Sequence, residues 1–280
     1  MIEPPATLDR TTRTSSGVVR WARLGEADAP VVVLNHGTPF SSRVWHAIAR
    51  RLAELWQVVV WDMPGFGASA MADGQDVSLA AQGRVFAELL AAWDLDAPMV
   101  VAHDIGGAVA LRAHLLHGAR FERLALVDVV ALAPWGSPFF RLVRDHADVF
   151  TRLPQNLHAA LVREYIAGAS HRGLPPETLE RLVEPWLGAD GQPAFYRQIA
   201  QATQRDTDEI EPRYASIDLP VLVAWGAEDT WIPVERGRTL AAAIPRARFV
   251  PIDGAGHLVQ ADAPEALAEA LIDFLGDRPE

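Results

Sequence analysis

The chain has 280 residues, of which 50% are hydrophobic, enough for one large α/β domain or one domain with an insertion. Its formal net charge of −11 argues against nucleic acid or an anionic membrane surface as a partner. It contains no cysteine, which excludes disulfides, thiolate metal sites and cysteine nucleophiles. The N-terminal residues lack a signal-like pattern and no apolar run reaches the ~18 residues of a membrane span, so we expect a cytoplasmic protein.

Short apolar runs alternate with helical patterns through the first half of the chain. The β-branched run Val31–Asn35 is typical of a buried parallel strand. We predict strands at 18–24, 31–35, 57–61, 99–102 and 124–127, and helices at about 44–55, 79–93 and 105–116. Strands that alternate with helices in this way imply right-handed crossovers and a parallel sheet.

The alternation breaks at about Ala131. From there to about Arg213 the pattern is mainly helical, and prolines divide it into short segments. Strand–helix alternation then resumes, with strands predicted at 219–225 and 248–250 and a last helix at 264–274. We therefore predict a core formed by residues 1–130 and 214–280, with a helical cap inserted at 131–213.

One short segment carries the clearest chemical signal. An apolar run ends at Ala102 and is followed by His103 and Asp104, then by Gly106 and a helical pattern. This is the layout of a nucleophile elbow, a sharp strand-to-helix turn with the reactive side chain at its tip. An aspartate there is an anion at neutral pH, because its ordinary pKa is about 3.9. It could attack a saturated carbon and form an alkyl–enzyme ester; its alternative role is to cap the helix that follows.

Five motifs follow one another in an order that resembles the α/β-hydrolases. They lie at 36–39 (HGTP), 62–69 (DMPGFGAS), 103–107 (HDIGG), 226–229 (GAED) and 254–257 (GAGH). Because Asp104 takes the place of a serine, the chain is most similar to the branch of epoxide hydrolases and haloalkane dehalogenases. The resemblance implies the α/β-hydrolase fold, a mostly parallel twisted sheet flanked by helices with an inserted helical cap, and neither a cofactor nor a metal.

The same resemblance implies a full set of catalytic groups around Asp104. His257 would activate water against the ester, and Asp229 would orient its imidazole. Asp128 is the alternative acid, because some dehalogenases place the acid after the preceding strand. Backbone N–H groups of Thr38 and Ile105 would stabilise the oxyanion.

The leaving group depends on residues of the cap. Epoxide hydrolases use cap tyrosines to protonate the departing oxygen, and Tyr196 and Tyr165 are the candidates here. Trp135 and Trp45 are candidates for lining the pocket, and the indole N–H of Trp135 could bind a halide. For each of these side chains, the alternative is simple packing at the contact between cap and core.

We therefore expect an epoxide hydrolase that opens a small or medium hydrophobic epoxide to a vicinal diol. A haloalkane or haloacid dehalogenase with the same Asp-His-Asp set is the alternative. A non-catalytic ligand-binding protein of the same fold is a third hypothesis. The expected partners are a small hydrophobic substrate and water, without nucleic acid or membrane, and the sequence leaves a homodimer open.

Overall fold

The computed structural model describes residues 7–276 of the chain. The strands in this part are β1 (Arg10–Thr14), β2 (Gly17–Leu24), β3 (Val31–Asn35), β4 (Gln57–Trp61), β5 (Met99–His103), β6 (Leu124–Val127), β7 (Val221–Gly226) and β8 (Ala247–Ile252). They form one sheet in the order β1-β2-β4-β3-β5-β6-β7-β8. Only the pairs β1–β2 and β2–β4 are antiparallel. This confirms the predicted α/β fold with its mostly parallel sheet.

Helices flank the sheet and fill the connections between strands. The α-helices are α1 (His46–Leu52), α2 (Leu79–Ala92), α3 (Ile105–His117), α4 (Pro138–Asp145), α5 (Ala147–Phe150), α6 (Gln155–Ala167), α7 (Pro176–Val183), α8 (Gly188–Gln201), α9 (Arg205–Asp208), α10 (Val234–Ala243), α11 (Val259–Asp262) and α12 (Pro264–Gly276). Short 3-10 helices lie at Ser42–Trp45, Glu184–Trp186 and Glu211–Ser216. Within residues 7–276, no helix combines the length and the apolar character that a membrane crossing requires.

The central strands are buried on both faces, which explains their continuous apolar runs. Every residue of β4, β5 and β6 is buried. Successive side chains of β3 alternate between the two faces: Val33 packs in the core that includes α2 and α3, whereas Val32 and Leu34 pack in the core that includes α1 and α12. The sheet therefore separates two hydrophobic layers, as expected for a parallel sheet covered by helices on both sides.

The chain between β6 and β7 forms helices and no strand. It contains α4 to α9 and two of the 3-10 helices, and we call residues 131–213 the cap segment. The last 3-10 helix, Glu211–Ser216, spans the predicted boundary at 213, so the return to the core is itself helical. Buried side chains of α8, among them Phe195 and Ile199, belong to the same hydrophobic cluster as α2 and α3. The cap segment is thus packed continuously onto one layer of the core.

Candidate active site

Four candidate catalytic side chains follow four neighbouring strands. Asp104 comes after β5, Asp128 after β6, Asp229 after β7 and His257 after β8. Because these strands are parallel and adjacent, their carboxyl ends lie at one edge of the sheet. Side chains separated by more than 150 positions in the chain, such as Asp104 and His257, are brought together in this way.

Asp104 stands at the tip of a strained turn between β5 and α3. Its backbone has φ 51° and ψ −124°, in the left-handed half of conformational space that non-glycine residues rarely adopt. The turn also brings Gly106 against the preceding loop, where a Cβ atom would lie 2.3 Å from the carbonyl oxygen of His36. This geometry is that of a nucleophile elbow, and the Asp104 side chain makes no helix-capping hydrogen bond.

Both predicted oxyanion donors contact the Asp104 carboxylate. The Thr38 N–H donates to Asp104 Oδ1 at 2.7 Å, and the Ile105 N–H lies close enough to the carboxylate to lower its pKa. The cap segment holds the Thr38 loop in place, because the Thr38 hydroxyl donates to Gln198 Oε1 at 2.8 Å. Gln198 was not predicted from the sequence, and its role depends on a contact 160 positions away.

His257 lies between the two carboxylates predicted to flank it. Its Nδ1 lies 2.9 Å from Asp229 Oδ2, and its Nε2 lies 3.5 Å from Asp104 Oδ2. The other oxygen of Asp229 accepts the backbone N–H groups of Trp231 and Ile232, at 2.7 and 2.9 Å. Asp229 is therefore fixed by the backbone and can hold the imidazole with Nε2 directed towards Asp104.

Electrostatics favour an ion pair at neutral pH. Burial would raise the pKa of Asp104, but the proximity and charge of His257, together with the Ile105 N–H, hold that pKa below its ordinary range. Burial would lower the pKa of His257, but the charge of Asp229 and the contacts with Asp104 raise it well above its ordinary value. Asp104 is accordingly an anion at neutral pH and faces a protonated imidazole.

Asp128, the alternative acid, contacts Asp229. It is fully buried with φ 46°, and its Oδ1 accepts the Gly226 N–H at 2.9 Å. Burial and the neighbouring charge of Asp229 raise the pKa of Asp128 well above its ordinary value, which favours the protonated acid beside Asp229. Asp229 in turn hydrogen-bonds His257, with 2.9 Å between Asp229 Oδ2 and His257 Nδ1.

Asp128, Asp229 and His257 also form the one cluster of possible metal ligands found among residues 7–276. One ligand atom from each lies within 4.8 Å of the others. His257 Nδ1 and Asp229 Oδ2 already share a hydrogen bond, and the pKa of Asp128 lies well above its ordinary value. These contacts describe a proton-linked chain behind the imidazole better than a cation site, which requires deprotonated ligands.

His103 is a positioning residue that sequence reasoning missed. Its Nε2 lies 2.9 Å from the carbonyl oxygen of His257. Burial and the charge of His257 lower the pKa of His103 to about 4, so the ring is neutral and donates its Nε2–H to that carbonyl. The His103 ring therefore supports the backbone that carries His257.

A cavity of about 40 Å³ lies over Asp104. Among its lining residues is Tyr165, whose ring stacks on Trp231 at 4.6 Å between centroids. Trp231 in turn stacks on His257 at 4.9 Å. Burial, and then the charge of Asp104, raise the pKa of Tyr165, so the phenol stays protonated at neutral pH.

The structure places Tyr196 away from this cavity. Its hydroxyl lies 2.8 Å from Nδ1 of His158, and Nε2 of His158 lies 2.8 Å from the Trp186 carbonyl oxygen. Since a carbonyl can only accept, Nε2 carries the imidazole proton and Nδ1 accepts from Tyr196. The Tyr196 hydroxyl therefore donates its proton to His158, another residue of the cap segment. The prediction that Tyr196 protonates a substrate is corrected.

The two predicted pocket tryptophans have different positions. Trp135 lines the cavity, but its Nε1–H donates to Thr207 Oγ1 at 2.8 Å and is therefore committed within the cap segment. Trp45 does not line the cavity over Asp104; it is fully buried in the layer that includes α1, on the opposite face of the sheet. Its predicted role in the pocket is corrected, since helix α1 and the sheet enclose it.

Comparisons with known proteins agree with this fold. A model of the alpha/beta hydrolase fold family matches residues 30–264. A crystal structure of an alpha/beta hydrolase fold protein from Burkholderia ambifaria is 46% identical, covers 96% of this chain and 99% of that one, and has a TM-score of 0.93. A thermophilic esterase from Thermogutta terrifontis is 23% identical, with coverages of 95% and 97% and a TM-score of 0.78, and shows the fold alone.

Another relative is named for a different activity. The cis-3-alkyl-4-alkyloxetan-2-one decarboxylase of Xanthomonas campestris is 25% identical over 283 residues, which is 91% of each protein. Similar proteins thus include both an esterase and a decarboxylase, so similarity does not select the reaction. The family model and the Burkholderia ambifaria structure together show that the chain belongs to the alpha/beta hydrolase fold family.

Proposed function

We propose that this hydrolase opens a small hydrophobic epoxide through an alkyl ester on Asp104. The observation that carries the proposal is that the two carboxylate oxygens of Asp104 have different contacts. Oδ1 is held by the Thr38 N–H, whereas Oδ2 is the oxygen nearest to His257. A carboxylate held in this way is a poor route to acyl hydrolysis, because attack on an acyl carbon gives an anhydride, but it suits attack on a saturated carbon.

In the first step, Oδ2 of Asp104 attacks a ring carbon and the carbon–oxygen bond of the epoxide breaks. The departing oxygen takes the phenolic proton of Tyr165, the one tyrosine that lines the cavity over Asp104. The raised pKa of Tyr165 keeps that proton available at neutral pH and makes its transfer favourable only to a strongly basic alkoxide.

After alkylation, the protonated His257 returns a proton to the Tyr165 phenolate and becomes neutral. In the second step, water attacks the ester carbonyl carbon while His257 accepts one of its protons. The N–H groups of Thr38 and Ile105 already contact the Asp104 carboxylate and hold the negative charge of the tetrahedral intermediate. His257 then gives its proton to the leaving alkoxide, which completes the diol. The other proton of the water, released when the new carboxyl group ionises, passes to His257 and restores the starting ion pair.

The cavities fit a substrate with one apolar substituent. A second cavity of about 160 Å³ shares Val130, Trp135 and Trp231 with the cavity over Asp104 and extends towards Trp225 and Leu240. The epoxide ring would occupy the smaller space and the substituent the larger, apolar one. The decarboxylase of Xanthomonas campestris is named for an oxetanone, a strained cyclic oxygen compound, as an epoxide is.

Halide displacement is the second candidate reaction, because Asp104 and His257 would serve it equally well. A departing halide needs N–H donors instead of an acid. The Trp135 N–H, the donor expected from the sequence, is already committed to Thr207. The contacts of the cavity therefore favour oxygen over halide as the leaving group.

The matched pair Tyr165→Phe and Tyr196→Phe tests the epoxide reaction. With styrene oxide as substrate, we expect Tyr165→Phe to reduce kcat about 10²–10⁴-fold, the usual contribution of a general acid. Tyr196→Phe loses only its bond to His158 and should retain most of its activity. Equal effects of the two substitutions, or bromide release from 1,2-dibromoethane without diol formation from styrene oxide, would contradict the proposal.

Isotope labelling tests the covalent step separately. In a single turnover in ¹⁸O-water, the diol should contain unlabelled oxygen, because the oxygen comes from Asp104 and the label enters the carboxylate. Direct attack of water would instead place the label in the product during the first turnover.

A further inference from the structure

Trp231 is fixed by the same carboxylate that orients His257. Asp229 Oδ1 accepts the Trp231 N–H at 2.7 Å, while Asp229 Oδ2 lies 2.9 Å from His257 Nδ1. The indole stacks on the imidazole, with 4.9 Å between the ring centroids and 27° between the ring planes. Offset stacking at such a distance is favourable, and the face of an indole also attracts a cation such as a protonated imidazole. The short segment after β7 therefore holds the base through two contacts, a hydrogen bond and a ring face.

The same indole is the aromatic contact between Tyr165 and the core. It stacks on the phenol with 4.6 Å between the centroids and 17° between the planes. Within residues 7–276, the other aromatic rings that contact Tyr165 are those of Phe139 and Phe195, and both belong to the cap segment. The position of the phenol ring relative to Asp104 therefore depends on its contact with Trp231.

The turn after α6, the helix that carries Tyr165, is bonded to the loop 254–258 that carries the base. The Leu258 N–H donates to the carbonyl oxygen of Ala169 at 2.9 Å. Asp262 Oδ2 bridges the two segments, because it accepts one backbone N–H from each at 2.8 Å. These bonds fix the end of the helix, but they leave the phenol ring free to turn about its side-chain bonds. The ring contacts of the phenol restrict that rotation.

We infer that Trp231 is a positioning residue that holds the proton donor Tyr165 in place relative to the base His257. The inference rests on the proposed epoxide reaction, in which the imidazole returns a proton to the phenolate after alkylation. Groups that exchange protons must be correctly oriented, and a misplacement of about 1 Å can lower a rate about 10²-fold. Trp231 contributes a ring face, so another aromatic side chain should replace it in part and an aliphatic one should not.

The variants Trp231→Leu and Trp231→Phe form the first test, because leucine removes the ring face and phenylalanine retains one. In single turnovers with styrene oxide, we expect Trp231→Leu to lower the rate of alkylation about 10²-fold and Trp231→Phe to retain most of that rate. Trp56→Leu, which removes a buried indole from the opposite layer of the core, is the control for lost packing and should keep the wild-type rate. Equal rates for the two Trp231 variants would overturn the inference.

A double variant tests whether Trp231 acts through Tyr165. If it does, Trp231→Leu combined with Tyr165→Phe should alkylate no more slowly than Tyr165→Phe alone, because the misplaced phenol has already lost its contribution. A general loss of packing would instead leave the contribution of Tyr165 intact. The two effects would then multiply, and the inference would be wrong.

Fluorine NMR tests the contact without a substrate, so that a failure of the inference is distinguishable from a failure of the proposed reaction. The chain has three tyrosines, so labelling with fluorotyrosine should give three resonances, and Tyr165→Phe identifies that of Tyr165. Trp231→Leu should shift this resonance, because the ring current of the indole is lost, and leave those of Tyr196 and Tyr214 in place. A shift no larger than in Trp56→Leu would show that the indole does not hold the phenol, and would refute the inference. If the wild type forms no diol, the proposed function fails and the fluorine spectra alone decide whether Trp231 holds Tyr165.

Discussion

Replacing Asp128 with asparagine tests the contact between the two carboxyl groups behind His257. Asparagine keeps the shape of the side chain: its oxygen can accept the Gly226 N–H, and its NH₂ group can donate to Asp229 as the protonated acid does. The substitution therefore removes a titration and retains the contacts.

The size of the effect follows from proton linkage. An aspartate in the unfolded chain titrates near pH 3.9, whereas the pKa of Asp128 in the folded protein is raised well above its ordinary value by burial and by Asp229. The stabilisation from this bound proton is complete below about pH 4 and is lost as the pH rises towards the folded pKa. Across that window, one extra proton in the native state lowers the free energy of unfolding by about 1.4 kcal/mol per pH unit.

The difference in free energy of unfolding between Asp128→Asn and the wild type should therefore increase in favour of the variant by about 1.4 kcal/mol for each pH unit above about 4. This increase ends when the pH reaches the pKa of Asp128 in the folded protein. Urea unfolding followed by fluorescence of the nine tryptophans between pH 4.5 and 7.5 would measure this difference. Asp73→Asn, at a fully exposed side chain, is the surface control. Parallel pH profiles for Asp128→Asn and the wild type would refute the shared proton.

Three further predictions concern the reaction itself. Gly37→Ala should abolish turnover, because its Cβ would lie 2.3 Å from the Cβ of Asp104, whereas Gly168→Ala, with its closest contact at 3.5 Å and φ −66°, should be active in the same assay. His257→Gln should allow the ester to form but slow its hydrolysis about 10²–10⁴-fold, so intact-protein mass spectrometry should detect the substrate mass added to the protein. The rate of alkylation in single turnovers should persist below about pH 4, because the pKa of Asp104 is held below its ordinary range; a loss of alkylation with a midpoint near pH 6 would contradict this.

Strands with strong local signals were predicted closely, and those without them were missed. The predicted strands at 31–35, 57–61 and 124–127 coincide with β3, β4 and β6, because continuous apolar runs are what burial on both faces requires. Strand β1 was missed: its sequence RTTRT is polar, and most of it lies exposed at the edge of the sheet. Helix α10 was missed as well, since only Gly237 and Leu240 are buried along it, too few for a clear helical period.

The candidate site likewise contains residues that could be predicted from the sequence and residues that could not. Asp104, Asp229 and His257 stand in motifs tied to strand ends, so their convergence could be predicted from the order of strands and helices. The function of Tyr196 depends on where its hydroxyl hydrogen bond goes, and the partner is His158, 38 positions away in another helix of the cap segment. No local pattern encodes such a pair, which explains why the cap residues could not be assigned from the sequence.

The two steps of the proposed reaction require opposite properties of His257, and the charges around it can supply both. While Asp104 is an anion, its contacts and the charge of Asp229 keep the pKa of His257 well above its ordinary value, and the imidazole is a poor base. Alkylation of Asp104 removes one of these negative charges, whereas burial, which lowers the pKa of the imidazole, remains. The pKa of His257 must then fall, and the ring can become the neutral base that water needs. The same argument explains the value of a protonated Asp128, because a second full charge beside Asp229 would hold the proton on His257 after the ester has formed.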